Sequence, residues 1–323
     1  MKKPDPIEAA LDALASLRAE TDPVVVASGL RKALKDRSNL VVAKAAQIAG
    51  DLRITQLIPD LVSAFDRLMK NPAKVDKRCA ATFAIAMTLH ALDYTEPEVY
   101  LAGVRHVQME ASFGPPVDEA AKLRAQCALG LVRTREPHAL VTVAELLADR
   151  EPHARLGAVR ALAANGGEGA IMLLRYKALV GDQDAEVFAE CLSGLLTADF
   201  SKSLPFVARF MDSDDPDTVE SAVLAIASQR RTEAFELLRA KWDHSVHLEI
   251  RKTLLTAMAT MRIEEATEFL LDLLRSAATS TGVEIIRVLA AYHREARVRE
   301  RIRAILDGGA SPELRKAFSE SWP

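Results

Sequence analysis

Residues 123–161 read LRAQCALGLVRTREPHALVTVAELLADREPHARLGAVRA, and this stretch decides the fold. Its two ends carry one pattern: an apolar residue followed by arginine, a small residue four positions on, and another seven positions on. Offsets of four and seven lie on one face of an α-helix, and small residues there allow a second helix to approach closely. The stretch therefore predicts two helices of one kind, with a further apolar helix between them.

The pattern recurs with a period of 31 to 33 residues, which is typical of a two-helix repeat. Its anchors are Leu123, Ala154, Val187, Val219, Ile250 and Val283, with an earlier copy at Val42. Helix boundaries are marked by two residue types. Proline is favoured at the first position of a helix, and a pair of glycines commonly ends a helix. The starts marked in this way are Pro137, Pro152, Pro216 and Pro312, and the stops are Gly166-Gly167 and Gly308-Gly309.

This arrangement predicts an all-α fold, an α-α superhelix of roughly nine helix pairs. A leading helix over residues 6–20 would cap its N-terminus, and residues 295–323 would cap its C-terminus. A two-helix unit buries its apolar face only by stacking on its neighbours, so we expect one domain over residues 1–323. The composition agrees, because hydrophobic residues make up 49% and aromatic residues only 5%, unlike an all-β protein.

The bulk numbers exclude several classes of protein. A net charge of −3 lacks the basic excess of a dedicated nucleic-acid binder. The longest apolar stretch, residues 80–89, is far shorter than the ~20 residues of a membrane span, and no apolar segment follows the initial MKKPDP. Three widely spaced cysteines are too few for a disulfide framework. We expect a cytoplasmic protein with no signal peptide and no membrane partner.

At the level of motifs, the chain resembles the HEAT-like repeat family, in particular the short bacterial type also seen in phycobilisome-lyase-like proteins. In that family an aspartate in the turn between the two helices, and an arginine six residues later, form a ladder between repeats. The resemblance covers nearly the whole chain and implies a ladder role for four residues here. They are Asp118 with Arg124 and Asp149 with Arg155.

The implied ladder is patchy farther along the chain. Phe188 and Glu220 stand where arginine is expected, although Asp182 and Asp214 keep the aspartate. Arg251 keeps the arginine, but its turn has a serine in place of the aspartate. Stacking near Phe188 and Glu220 must therefore depend on packing or on other pairs.

Residues 182–220 contain ten acidic and two basic side chains. Aspartates at helix starts explain part of this excess. The other acidic side chains are either ordinary surface residues or an acidic surface that attracts a basic partner, and the sequence does not favour one over the other. The arginine-rich end, residues 287–303, favours either a solvated helix with Glu–Arg pairs or an anion-binding end. Contact between these oppositely charged regions of two copies would give head-to-tail self-association. The candidate binding residues of the acidic region are Asp212, Asp214, Asp215 and Asp217.

Two further features are candidates for partner contact. If the second helix of each pair lines a concave face, Lys44, Arg160 and Glu190 point toward it from their helical positions. The segment 111–118 breaks the repeat period, and insertions in a solenoid often lie on the binding face. Phe113 and two prolines make this segment a stiff, partly apolar loop, or else a longer connector without a role.

Signals for chemistry are weak. Residues 212–217 lack the central glycine and the final glutamate of a calcium loop. His244 and His247 have metal-like spacing without a third ligand nearby in sequence. Cys79, Cys127 and Cys191 occupy small core positions of the anchor helices. We predict no cofactor, metal site or catalytic residue.

The first functional hypothesis is a non-enzymatic adaptor that binds a protein or peptide, basic in charge, on the concave face. A second is a nucleic-acid protein similar to the alkyl-purine DNA glycosylases, which are helical-repeat proteins. It needs a basic groove with aromatic residues and a carboxylate, for which Trp242-Asp243 is the candidate pair. A third, a lyase-like chaperone of a chromoprotein, follows from the repeat type alone. Fold does not choose among them.

Overall fold

The computed structural model describes residues 5–322; residues 1–4, at the start of the chain, and Pro323, the last residue of the predicted C-terminal cap, lie outside them. The chain divides between Lys177 and Ala178 into two compact units, here unit 1 and unit 2. The single domain over residues 1–323 stays a prediction. Within residues 5–322 no helix is both long and apolar enough to cross a membrane.

Unit 1 begins with the predicted leading helix and continues as pairs of helices. Its helices, in chain order, are α1 (Pro6–Ala19), α2 (Pro23–Ala33), α3 (Asn39–Asp51), α4 (Ile58–Met69), α5 (Pro72–Val75), α6 (Ala80–Ala91), α7 (Glu98–Val104), α8 (Ala121–Leu131), α9 (Ala139–Leu146), α10 (Pro152–Asn165) and α11 (Glu168–Val180), which runs into unit 2. The second helices of successive pairs pack side by side, α3 on α6, α6 on α8 and α8 on α10.

Unit 2 repeats the same plan. Its helices are α12 (Ala185–Ala198), α13 (Phe200–Ala208), α14 (Pro216–Ser228), α15 (Thr232–His244), α16 (Leu248–Met261), α17 (Glu264–Ser276), α18 (Thr279–Leu289), α19 (Ala296–Asp307) and α20 (Pro312–Ser321). Here the second helices stack in the order α12, α14, α16, α18 and α20. The all-α helical-repeat fold is confirmed in both units.

Close approach of the helices depends on small residues at the pattern positions and beside them. Gly157 of α10 faces α8, and a Cβ atom there would lie 2.2 Å from the Cβ of Ala125. Gly130 of α8 faces α7 in the same way, and a Cβ atom at this position would lie 2.2 Å from the ring of Tyr100. Contacts this short are forbidden, so any larger residue would push the helices apart.

One small element departs from the helical plan. Residues 109–118 form an antiparallel hairpin of two short strands, β1 (Met109–Glu110) and β2 (Val117–Asp118). The segment predicted as a stiff loop is therefore the tip and second strand of this hairpin. Its base is held by the turn that follows α5, since the Arg78 N–H donates to Glu110 Oε1 (2.6 Å) and Gln108 Nε2 donates to the Asp76 carbonyl (3.0 Å).

Candidate functional site

The turn aspartates of unit 1 converge on one buried arginine. Arg124 is 3% exposed, and its guanidinium contacts Asp118 Oδ2 at 2.7 Å and both oxygens of Asp149 at 2.9 and 3.0 Å. It also donates to the His106 carbonyl at 2.8 Å. Such a bidentate, buried contact joins the turns of two successive helix pairs. The contact thus links neighbouring repeats, and the ladder role of Asp118, Arg124, Asp149 and Arg155 stays a prediction.

The protonation state of Asp118 follows from these contacts. Burial alone would raise the pKa of its carboxyl group, but N–H groups of Gln108 and Ala120 and the Arg124 guanidinium all donate to it. Together they hold the pKa of Asp118 below its ordinary value. Arg155, the next predicted ladder arginine, donates to the carbonyls of Asp149 (2.9 Å) and Arg150 (3.1 Å).

Unit 2 uses aromatic contacts where arginine is missing. Phe188 packs edge-to-face on Phe210, with ring centroids 5.7 Å apart, and Phe206 adds a second edge-to-face contact with Phe210 at 5.5 Å. Arg251, which keeps the arginine, stacks over the Trp242 ring at 4.6 Å and donates from Nε to the Ser245 carbonyl. Dispersion and cation–π attraction thus replace the carboxylate–guanidinium ladder.

Several aspartates of the acidic segment cap helices. Asp184 accepts hydrogen bonds at the start of α12, Asp199 does so at α13, and Asp215 binds the Thr218 N–H (3.1 Å) and hydroxyl (2.6 Å) at α14. The Thr218 hydroxyl lowers the pKa of Asp215. Asp215 is therefore a structural residue of the helix, in addition to being exposed.

Two acidic side chains of this segment, Asp212 and Asp214, border a groove in unit 2. Asp212 pairs with Lys241 at 2.9 Å, whereas Asp214 and Asp217 are exposed and have no ion pair within 4.0 Å among the residues that the structure describes. The groove has a volume of about 550 Å³ and lies between the start of α14 and the loop before α16. Its lining includes Met211, Val219 and Leu248 beside Asp212 and Asp214. An apolar floor with an acidic rim results, and we name it the acidic groove.

A second groove adjoins it on the other side of Leu248. It has a volume of about 340 Å³, and its walls are Trp242, Val246, Leu248 and Leu255. Polar side chains of α16 and α18 complete it, namely Arg251, Lys252, Ser280, Thr281 and Glu284. Val246 and Leu248 are 87% and 65% exposed, so an apolar ridge separates the two grooves. We name the second groove the Trp242 groove.

The three predicted concave-face contacts lie on second helices, as expected from their positions in the repeat. Lys44 is half-buried on α3, Arg160 is exposed on α10 and Glu190 is half-buried on α12. Whether they bind a partner stays a prediction.

Phe113 lies at the tip of the hairpin in unit 1 and is fully exposed. The tip itself is ordered by Ser112, whose hydroxyl donates to the Pro115 carbonyl (2.7 Å) and accepts from the Gly114 N–H (3.1 Å). Met109 and Val117 are exposed as well. The hairpin thus presents apolar side chains from a rigid turn.

The cysteines and His244, which could in principle act as nucleophiles or metal ligands, lie in environments typical of structural residues. All three cysteines are buried, and burial raises the pKa of Cys79 to about 12. His244 Nδ1 lies 2.7 Å from the Ala240 carbonyl of its own helix. In residues 5–322 no three His, Cys, Asp or Glu side chains are grouped so that they could hold a metal ion.

The arginine-rich end is largely engaged within unit 2. Arg297 of α19 pairs with Glu264 of α17 at 3.0 Å, and Arg301 pairs with Glu268 of the same helix. Arg287 pairs with Glu284 at 2.9 Å. Glu–Arg pairs are therefore present, as the interpretation of this end as a solvated helix predicts. The pairs made by α19, however, are not within one helix but join residues 33 positions apart in neighbouring repeats.

A further ladder was missed by the sequence reasoning. Asp93 lies between Arg53 (3.5 Å) and Arg133 (2.5 Å), and the three residues follow the second helices of three successive repeats. The pKa of Asp93 is lowered by the Arg133 guanidinium. Each residue comes two positions after its helix ends, at intervals of 40 residues. An alignment of the helix ends, instead of the anchors, would have revealed it.

No known family profile matches this chain, and no curated protein matches it. Among solved structures, human deoxyhypusine hydroxylase in complex with glycerol is 19% identical, over 80% of this chain and 91% of that one, with a TM-score of 0.30. The CpcE–CpcF complex of phycocyanin lyase from a Nostoc species is 14% identical, over 93% and 95%, with a TM-score of 0.35. The Pds5–Scc1 complex is 12% identical, over 98% and 73%, with a TM-score of 0.36. No activity or partner follows from similarity at this level, and membership in the short bacterial HEAT-like type stays a prediction.

Proposed function

We propose that this protein is a non-enzymatic helical-repeat scaffold that binds a segment of a partner protein in the acidic groove. The observation that carries the proposal is the groove of about 550 Å³ with Met211, Val219 and Leu248 in its lining and Asp212 and Asp214 at its rim. Apolar walls bind aliphatic side chains, and a local excess of carboxylates attracts a cation. The favoured ligand is a segment with a lysine or arginine next to an aliphatic residue.

The balance of charge at the rim supports this choice. Lys241 offsets Asp212, but Asp214, Asp217 and Glu220 are exposed on the same turn and the helix that follows it. Exposed carboxylates within a Debye length of ~8 Å at physiological salt act together on an approaching ligand. Binding should therefore weaken as the salt concentration rises.

A peptide-display selection on the full-length protein tests the proposal. We expect it to enrich segments that combine basic and aliphatic residues. The double variant Asp212→Asn with Asp214→Asn should weaken binding of the selected peptides at least fivefold, about 1 kcal/mol. Asp215 stays unchanged because it caps α14.

The matched control removes two other exposed carboxylates of unit 2, Glu300→Gln with Asp307→Asn. It makes the same change in net charge away from the groove. If the control weakens binding as much as the groove variant does, the attraction is a property of net charge, and the acidic groove is not the site. Enrichment of acidic or charge-free peptides would also contradict the proposal. The nucleic-acid and chromoprotein-chaperone hypotheses stay predictions.

A further inference from the structure

The acidic groove and the Trp242 groove share a wall. Leu248, the first residue of α16, lines both, and Val246 rises beside it at the edge of the Trp242 groove. Both side chains are largely exposed, an unfavourable arrangement unless a ligand covers them. One ligand lying across Leu248 would enter both grooves.

The rims of the two grooves differ in charge. Asp212, Asp214 and Glu249 line the acidic groove against Lys241, a local excess of two negative charges. The Trp242 groove instead has Arg251 and Lys252 against Glu284, an excess of one positive charge. Glu284 also forms an ion pair with Arg287 at 2.9 Å, and Lys252 forms one with Glu249 at 2.9 Å across the two rims. Among the described residues that line the grooves, Asp214 on one rim and Arg251 on the other are the charges that have no ion pair within 4.0 Å.

The start of α18 lies at the Trp242 groove. Ala278 occupies the cap position and has no side chain able to accept from the first-turn N–H groups. Ser280 and Thr281, both in this first turn, line the groove. Free N–H groups at a helix N-terminus favour a negative charge, and here two cationic side chains lie in the same groove.

We infer that the two grooves form one bipartite site for an extended peptide that is basic at one end and acidic at the other. Its basic side chain lies beside Asp214, aliphatic side chains cover both faces of Leu248, and its acidic group lies at Lys252 and the start of α18. This inference rests on the proposed function and adds the chemistry of the partner segment. Three second helices spaced at 8–10 Å place the two rims ~20 Å apart, the length of about six extended residues.

Fluorescein-labelled synthetic peptides test the inference by anisotropy with the full-length protein. The bipolar probe has two lysines at one end, two glutamates at the other and a spacer of four residues that includes two leucines. A second probe replaces the glutamates by glutamine, a third replaces the lysines by glutamine, and a fourth shortens the spacer to one residue. We expect the bipolar probe to bind about fivefold more tightly than each of the others, since an exposed charged contact contributes up to ~1 kcal/mol.

The variant Lys252→Gln separates the two grooves. The ion pair between Lys252 and Glu249 lies at the surface, where such pairs contribute little to stability. We therefore expect the variant to have the same unfolding free energy as the wild-type protein. It should reduce the preference for the bipolar over the glutamine-ended probe at least twofold. The affinity of the glutamine-ended probe should not fall, because Glu249 of the acidic groove loses its cation in this variant. The groove variant Asp212→Asn with Asp214→Asn should weaken both of these probes. Intrinsic Trp242 fluorescence should change only with probes that enter the second groove.

Failure has two distinguishable forms. If the bipolar and glutamine-ended probes bind equally well, and the lysines still matter, the bipartite site is wrong while the scaffold proposal stands. If none of the probes binds, and display also returns no basic and aliphatic segments, both proposals fail. Equal binding by the short-spacer probe would likewise overturn the bipartite site, because the backbone of that probe extends over only ~14 Å, too short to cover Leu248 and reach both rims ~20 Å apart.

Discussion

The turn between the two helices of a repeat has opposite uses in the two units. In unit 1, Asp118 and Asp149 are both bound by the buried Arg124, so their charge is neutralised within the molecule. In unit 2, Phe188 and Glu220 occupy the arginine positions, and the carboxylate of Asp214 lies exposed at the rim of a groove. The comparison teaches that a repeat can lose its ladder and retain its stacking when aromatic contacts take over. At Asp214 the change leaves an exposed carboxylate at the rim of the acidic groove.

The largest expected effect comes from breaking the ladder of unit 1. Arg124→Met leaves two carboxylates in a buried site without their cation, which should cost about 3–5 kcal/mol of unfolding free energy. Urea unfolding followed by far-UV circular dichroism measures it. The control is Arg18→Met, since Arg18 forms an exposed pair with Asp51 and should contribute less than about 1 kcal/mol. Equal effects of the two variants would contradict a structural ladder at Arg124.

The aromatic replacement in unit 2 should matter less. Phe188 is half-buried, so Phe188→Ala should cost about 1–2 kcal/mol, below the 3–5 kcal/mol of a fully buried phenylalanine. Phe188→Leu keeps most of the packing and should cost under about 1 kcal/mol. Both tryptophans, Trp242 and Trp322, lie in unit 2, so their fluorescence during urea unfolding reports on this unit. If Phe188→Ala lowered the unfolding free energy as much as Arg124→Met does, the aromatic contacts of unit 2 would be as important for stability as the arginine contacts of unit 1.

Acid should weaken the ladder in a predictable direction. The pKa of Asp118 is lower in the folded protein than its ordinary value of 3.8, so the unfolded chain binds the proton first as the pH falls. Its contribution to stability is complete above that ordinary pKa and is lost as the pH falls toward and through the folded value. Between about pH 5 and pH 3 the wild-type protein should lose more stability than Asp118→Asn, which has no carboxyl group at this position. Parallel pH profiles of the two proteins would contradict the prediction.

The smallest expected effect is at the hairpin tip. Phe113 is fully exposed and packs on nothing that folding requires, so Phe113→Ser should change the unfolding free energy by no more than about 0.5 kcal/mol. Thermal unfolding followed by circular dichroism measures it. A clearly larger loss would mean that the hairpin tip supports unit 1 and is not simply presented to solvent.

Much of the fold could be predicted because its signal is local. The offsets of four and seven residues place Ala154, Ala158 and Ala161 on one face, and all three are fully buried. Prolines at the starts of α10, α14 and α20 and the glycine after α10 mark boundaries that the structure retains. The hairpin at 109–118 was not foreseen as β-structure, because two-residue strands have no periodicity to detect.

The candidate site was predictable only in part. The acidic segment includes the residues of the groove, but its sequence does not distinguish Asp215, which caps a helix, from Asp214, which lies at the rim. The sequence marked Trp242 only for its neighbour Asp243 and did not mark Leu248 at all, and only the packing of α14, α16 and α18 makes them walls of a groove.

By itself, the sequence determined that helices form, how they pair and with what period they stack, because these depend on spacing within one or two turns of a helix. Tertiary structure alone decided which charges are neutralised between repeats, since those partners lie 25 to 40 residues apart, as in Arg124 with Asp149 and Asp93 with Arg133. Coulomb attraction between side chains depends on their separation in space and on burial, and neither quantity is encoded in a local pattern. The carboxylate of Asp214, exposed beside the acidic groove, is one that forms no such pair among the described residues.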